Sequence, residues 1–155
     1  VEADMIAAMV ERIFRQVDHF DDSATVGVIV PYRNQIATVR NAIDRYGIPA
    51  LHSITIDTVE RFQGSQRDYI IYGLTVQQRY QLNFLTDNVF EEDGTLIDRK
   101  LNVAMTRARK HLTIVGNPDI LAGSAVYRRL MDFMKSRGCY FNVACEKFCA
   151  GDFSV

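Results

Sequence analysis

Residues 25–35, Thr25-Val26-Gly27-Val28-Ile29-Val30-Pro31-Tyr32-Arg33-Asn34-Gln35, set the class of the fold. Val26 to Val30 is a short, nearly continuous apolar run rich in β-branched residues, as expected of a strand covered on both faces. Pro31 stops it, since a proline has no N–H with which to continue a ladder. Ile36, Val39, Ile43 and Tyr46 then recur at helical spacing, with Asn34 as candidate cap and Gly47 and Pro49 closing the helix. A buried strand that leads directly into a helix predicts a crossover and hence a parallel sheet.

The same alternation continues on both sides. Upstream, Met5, Ile6, Met9, Val10, Ile13, Phe14 and Val17 fall at threes and fours and predict an amphipathic helix. Downstream, residues 54–59, 69–74 and 111–116 read as further strands. Leu101, Ala104, Met105 and Ala108 make one apolar helical face, and Val126, Leu130, Met131 and Met134 make another before Gly138. The chain is therefore expected to be an α/β layered domain with a mostly parallel sheet. Polarity rises from Gln77 to Asp98, where Glu91-Glu92-Asp93-Gly94 marks a turn, so this stretch reads as a loop or small hairpin.

With 155 residues and a 48% hydrophobic share, one sizeable core can form and disorder is disfavoured. The formal charge is -1, from 18 Lys plus Arg against 19 Asp plus Glu, so any surface for nucleic acid must be local. No apolar run approaches the roughly 18–20 residues of a bilayer span, and VEADMIAAMVERIF is acidic and amphipathic rather than a secretory leader. A membrane or secretory protein is thus not expected. Cys139, Cys145 and Cys149 match no ligand or disulfide spacing and read as free thiols of a cytoplasmic protein; with His19, His52 and His111 scattered singly, no metal site is expected.

Three polar constellations could carry chemistry. Tyr32-Arg33-Asn34-Gln35 sits where a strand gives way to a helix, the carboxyl edge at which open α/β sheets bind ligands, although a capped turn explains it too. Residues 57–68, DTVERFQGSQRD, are polar at almost every position between two buried strands, more than a simple turn requires. Residues 99–110, RKLNVAMTRARK, hold five basic side chains and no acidic one. On a helix, Lys100 and Arg107 flank one side of the apolar stripe, Asn102 and Arg109 the other. An arginine fork suits phosphate oxygens, though a solvated basic face is the plainer alternative.

Together PYRNQ (31–35), TVERFQG (58–64) and LNVAMTRARKHLTIVGN (101–117) resemble, in order and spacing, motifs four, five and six of superfamily 1 helicases. The pattern is closest to the branch of the nonsense-mediated-decay helicase and its DNA-processing relatives. The resemblance covers roughly residues 1–137 and implies a RecA-like second motor domain of three layers, with helices on both faces of the sheet; residues 138–155 form a tail of unassigned role. It implies that Gly64 and Gln66 face a nucleotide, and that Arg107 reaches the γ-phosphate across a domain interface. It places Tyr32, Arg33, Gln35 and Thr58 at or beside the backbone of single-stranded DNA or RNA.

Gln66 departs from the family, in which a Glu commonly accepts from the ribose hydroxyl; an amide can accept that bond without charge. The sequence contains neither a Gly-x-x-x-x-Gly-Lys-Ser/Thr phosphate loop nor a carboxylate pair for magnesium. By the resemblance these belong to an N-terminal RecA-like domain, which would hold the Mg2+ of ATP and act as partner in the same polypeptide. The expectation is an ATP-dependent helicase motor half, inactive alone. The alternative is a catalytically silent RecA-like module that binds nucleic acid or protein.

Overall fold

In the computed structural model, which describes residues 1–62 and 65–151, thirteen elements follow the alternation of apolar runs and polar breaks. They are α1 (Glu2–Gln16), β1 (Val26–Val30), α2 (Arg33–Asp44), β2 (Thr55–Thr58), β3 (Arg67–Gly73), α3 (Arg79–Leu85), β4 (Val89–Glu92), β5 (Thr95–Asp98), α4 (Arg99–Arg107), β6 (Ala108–Val115), α5 (Pro118–Leu121), α6 (Ala125–Ser136) and α7 (Cys145–Cys149). A 3-10 turn at Pro49–Leu51 interrupts the return from α2.

Four strands form one parallel sheet in the order β2-β1-β3-β6. All five residues of β1 are buried, which is why its sequence shows no polar alternation. Alternate residues of the sheet feed two cores. Val28, Val30 and Ile71 pack with Ile6 and Val10 of α1 and Val39 and Ile43 of α2 on one face. Ile29, Ile70 and Tyr72 pack with Leu101 and Ala104 of α4, Leu82 and Leu85 of α3 and Tyr127 of α6 on the other. Helices on both faces of a parallel sheet give the three-layer α/β architecture expected from the sequence.

Several local expectations are corrected. Asn34 does not cap α2; Tyr32 occupies that position, and its N–H donates to Oε1 of Gln35 at 3.3 Å. Ala108 does not close the helical face, because its backbone is extended (φ -88°, ψ 122°) and it pairs with Arg67 as the first residue of β6. Arg109 therefore lies on a strand and cannot flank the helix opposite Arg107. Met105 is half-exposed rather than buried, since Leu101 and Ala104 suffice to seat α4.

The stretch from Gln77 to Asp98 is more than a hairpin. It begins with α3 and only then forms β4 and β5, an antiparallel pair turning through Asp93 and Gly94. Both turn residues have positive φ, 49° and 74°, the backbone of a tight two-residue hairpin whose twist matches its strands. At the other end of the chain α7 docks on α1, with the Arg12 guanidinium 4.2 Å from the Phe148 ring centroid. The three cysteines are free thiols, and burial, with Cys149 beside it, pushes Cys145 up to about 11.

Candidate functional site

Because all four strands of the main sheet are parallel, their carboxyl ends share one edge and their amino ends the other. Tyr32, Arg33 and Gln35 follow β1, and Thr58 ends β2 in register with Val30, so these four residues meet at the carboxyl edge. Gln66 and Arg107 directly precede Arg67 and Ala108, which pair in the ladder, so both lie at the amino edge. The structure thus divides the candidate residues into two groups, separated by the length of β1, roughly 17 Å at the usual rise of a strand. Gly64 lies outside the described residues.

At the amino edge the Gln66 side chain donates from Nε2 to the carbonyl of Thr106 at 3.1 Å. Its amide nitrogen is thereby occupied, and Oε1 is left as the acceptor. Arg107 is the last residue of α4, half-buried, and its Nε has no hydrogen-bond partner among the described residues. The other four cations of the run are engaged within the chain. Arg99 lies over the Phe90 ring at 4.8 Å. Lys100, expected beside Arg107 on an exposed flank, is buried and donates to the Phe84 carbonyl at 3.2 Å and to Asp87 at 3.1 Å. Arg109 and Lys110 both hold Asp68, and Arg109 also donates to the carbonyl of Ala24.

An arginine with a buried, unpartnered Nε is costly, on the order of 1–3 kcal/mol, unless something supplies an acceptor. Its helix is firmly seated. Oδ1 of Asp98 accepts from the Leu101 N–H at 3.1 Å and caps α4. Tyr72 and Tyr127 lie against Asp98, and among the described residues neither their hydroxyls nor Oδ2 of Asp98 reaches a partner of good hydrogen-bond geometry. Burial raises the Asp98 carboxyl above the usual carboxylate range, partly offset by the backbone N–H groups it accepts from.

At the carboxyl edge the side chains are ordered by contacts to a segment with no assigned role at the level of sequence. Nε2 of Gln35 donates to the Thr75 carbonyl at 3.3 Å and its Oε1 accepts from Tyr32, so Gln35 is occupied at both ends. The Tyr32 hydroxyl donates to the Gln81 carbonyl at 3.2 Å, and its ring stacks on Phe84 with centroids 5.1 Å apart. Burial raises the Tyr32 phenol, and neighbouring Tyr80 and Asp87 add to the shift. Thr58 is buried, with its N–H donating to Oδ1 of Asp57 at 2.8 Å and its carbonyl accepting from Arg61 and Phe62. Arg33 is exposed.

Between α2 and α3 these residues line a cleft of about 350 Å³ formed by Tyr32, Asn34, Gln35, Tyr80, Gln81 and Phe84. Tyr80, Gln81 and Phe84 were not singled out by sequence; the aromatic pair four apart in a polar stretch was the signal available. Among the described residues no helix is long and apolar enough to cross a membrane, and no three His, Cys, Asp or Glu side chains cluster as metal ligands.

A parallel sheet flanked by helices, with motifs four to six at its two edges, is a RecA-like architecture, and the chain belongs to the superfamily 1 helicases. A family model described as AAA domain matches residues 1–119. Helicase sen1 of Schizosaccharomyces pombe is 32% identical over 138 residues, covering 88% of this chain and 8% of its own length. The Regulator of nonsense transcripts 1 homologs of Arabidopsis thaliana and Drosophila melanogaster are 34% and 36% identical over 118 residues, covering 74% and 72% of this chain and 9% of their own lengths. The chain thus spans about a tenth of the curated relatives it matches.

Proposed function

We propose that this chain is the C-terminal motor domain of an ATP-dependent DNA or RNA helicase. In this reading it closes an ATP site against an N-terminal RecA-like domain of the same polypeptide, which contributes the phosphate loop and holds magnesium. The observation that carries the reading is Arg107: alone in a run of five cations it has a buried guanidinium nitrogen without a partner among the described residues, and it stands beside Gln66 on a capped, packed helix. ATP supplies the phosphoanhydride whose cleavage drives the motor.

Arg107 donates to oxygens of the γ-phosphoryl group and stabilises the charge that grows as this group leaves. Oε1 of Gln66 accepts from the ribose hydroxyl while Nε2 stays on Thr106, so the ribose is positioned by the same contact that holds the end of α4. At the opposite edge Arg33 and Thr58, with Tyr32 and Gln35 shaping the turn, hold the backbone of a single strand. Placing nucleotide and track at opposite edges of one rigid sheet lets cleft closure be felt as displacement along the strand.

The test is nucleic-acid-stimulated ATPase activity of the intact protein carrying Arg107→Lys or Arg109→Lys. A point charge lacks the fork that spans two phosphate oxygens, so the first variant should lose roughly 10³-fold or more in turnover with little change in ATP affinity. The second should retain most activity, because Arg109 is already engaged by Asp68 and the Ala24 carbonyl. Near-normal turnover for Arg107→Lys, or equal collapse in both, would refute the assignment and leave the silent-module alternative.

A further inference from the structure

Cys145 and Cys149 do not read as a pair in the sequence, because only a helix brings side chains four apart onto one face. The structure supplies that helix. In α7 their sulfurs stand 3.8 Å apart, with Cys149 exposed and Cys145 half-buried, its thiol 3.0 Å from the Val1 carbonyl. Two thiols in contact at a surface offer two chemistries, a disulfide or a shared metal ion, and the geometry separates them. A disulfide holds its Cβ atoms about 3.5–4.5 Å apart, whereas residues four apart on a helix hold theirs at about 5–6 Å, so closing the bond would break the turn. Two thiolates on one tetrahedral zinc ion, each about 2.3 Å from the metal, stand about 3.8 Å from one another. The turn can stay as it is.

From this match we infer that Cys145 and Cys149 form a two-sulfur site for a thiophilic divalent cation, Zn2+ above all, chelated across the single turn of α7. Ligands four apart on one helix face are a spacing that zinc sites use. The thiolate is the ligand, so each sulfur gives up its proton to solvent as it takes the ion. Burial, with Cys149 and Asp4 of α1 nearby, pushes the Cys145 thiol up to about 11. The negative charge that opposes a bare thiolate there favours one neutralised by a cation. Among the described residues no third His, Cys, Asp or Glu joins the pair, so the remaining positions of the tetrahedron lie on the solvent side of Cys149 and are taken by water.

Filling the site has a structural consequence. With five residues α7 is too short to hold a helix unaided. Phe148, which precedes Cys149, carries the docking of α7 on α1 beside the Arg12 guanidinium. A cation that spans Cys145 and Cys149 fixes the turn that presents this ring, and so tightens the seat of the tail.

The probe is Cd2+, which takes tetrahedral thiolate sites as zinc does and whose bonds to sulfur absorb in the ultraviolet. The intact protein, reduced with a phosphine under nitrogen, is titrated beside Cys145→Ser, Cys149→Ser and Cys139→Ser. Wild type and Cys139→Ser should share a step of one ion per chain that the other two variants lack, and Zn2+ should displace it. Serine is nearly the shape of cysteine and α7 lies at the surface, so all three variants should fold. Hydrogen exchange across residues 145–149 should slow when Zn2+ is added to the wild type and should not respond in Cys149→Ser. A cadmium step that survives both Cys145→Ser and Cys149→Ser overturns the site, as does exchange that the ion leaves unchanged. One ion per two chains also overturns it, because the sulfurs of two copies would then share the metal.

Discussion

Gly27→Ala is expected to destabilise the domain through a single collision. A Cβ at this position of β1 would stand 2.5 Å from Cζ of Phe62, 3.1 Å from Cγ of Arg67 and 3.3 Å from Cδ1 of Ile70. Carbon atoms prefer about 3.5–4.0 Å. Phe62 is fully buried over β1 and is roofed by the Arg67 guanidinium 5.5 Å from its ring centroid, so it cannot swing aside into solvent. Overpacking of this kind costs about 1–3 kcal/mol, from which the stiffer backbone of Ala returns about 0.5–1 kcal/mol. The net loss, about 1–2 kcal/mol, corresponds to a fall in Tm of about 2–8 °C for a domain of this size. Urea and thermal denaturation measure it. Phe62→Leu removes the colliding atom, so the double variant should be more stable than the two single losses summed, with a coupling of about 0.5–3 kcal/mol. Phe62 also lies in the connection that ends at Gln66, so Gly27→Ala should weaken nucleotide binding as well. Wild-type stability of Gly27→Ala, or strict additivity with Phe62→Leu, would falsify the packing account.

Asp98→Asn should retain the cap on Leu101 while removing a buried charge. Because burial raises the folded-state pKa of Asp98, the wild type is favoured by its protonated form at pH below the ordinary carboxylate value and loses that advantage as pH rises through the raised pKa. The variant should therefore gain relative stability from about pH 4 upward; a stability difference that is flat with pH sinks this reading. Gln66→Glu loses the donor to Thr106, so it should cost up to about 0.5–1.5 kcal/mol of stability even if the acid improves the ribose contact, and an equal or higher Tm speaks against the bond. Tyr32→Phe keeps the stack on Phe84 but frees Gln81, and hydrogen exchange across 79–85 should quicken; unchanged exchange shows that the hydroxyl does not hold α3.

The sheet was legible because β1 is a run of apolar, largely β-branched residues and β3 centres on the apolar stretch Tyr69 to Tyr72, and α1 and α2 were legible from their spacing. Much less of the site could be read. Lys100 and Arg107 look alike in sequence, yet one is drawn inward by Asp87 and the Phe84 carbonyl while the other keeps a nitrogen unpartnered among the described residues, a difference set by the arrival of α3. That helix carries only two buried leucines in seven residues, too few for its periodicity to stand out. The end of α4 was misplaced for a related reason: Ala108 suits the helical stripe, but its pairing with Arg67 draws it into an extended strand. Tertiary partners override local preference at both points.

Every pairing in the main sheet joins segments that are remote along the chain, and β3 must wait for β6, with Tyr69 opposite His111. The one hairpin among the described residues, β4 with β5, stands outside that sheet and cannot nucleate it. Loop closure must therefore precede most of the stabilising contacts, which places this domain among slow folders. On a ribosome β1 and β2 can associate early, but the partner that completes β3 emerges only after α3, the hairpin and α4 have been made, so an unfinished parallel edge persists through much of synthesis.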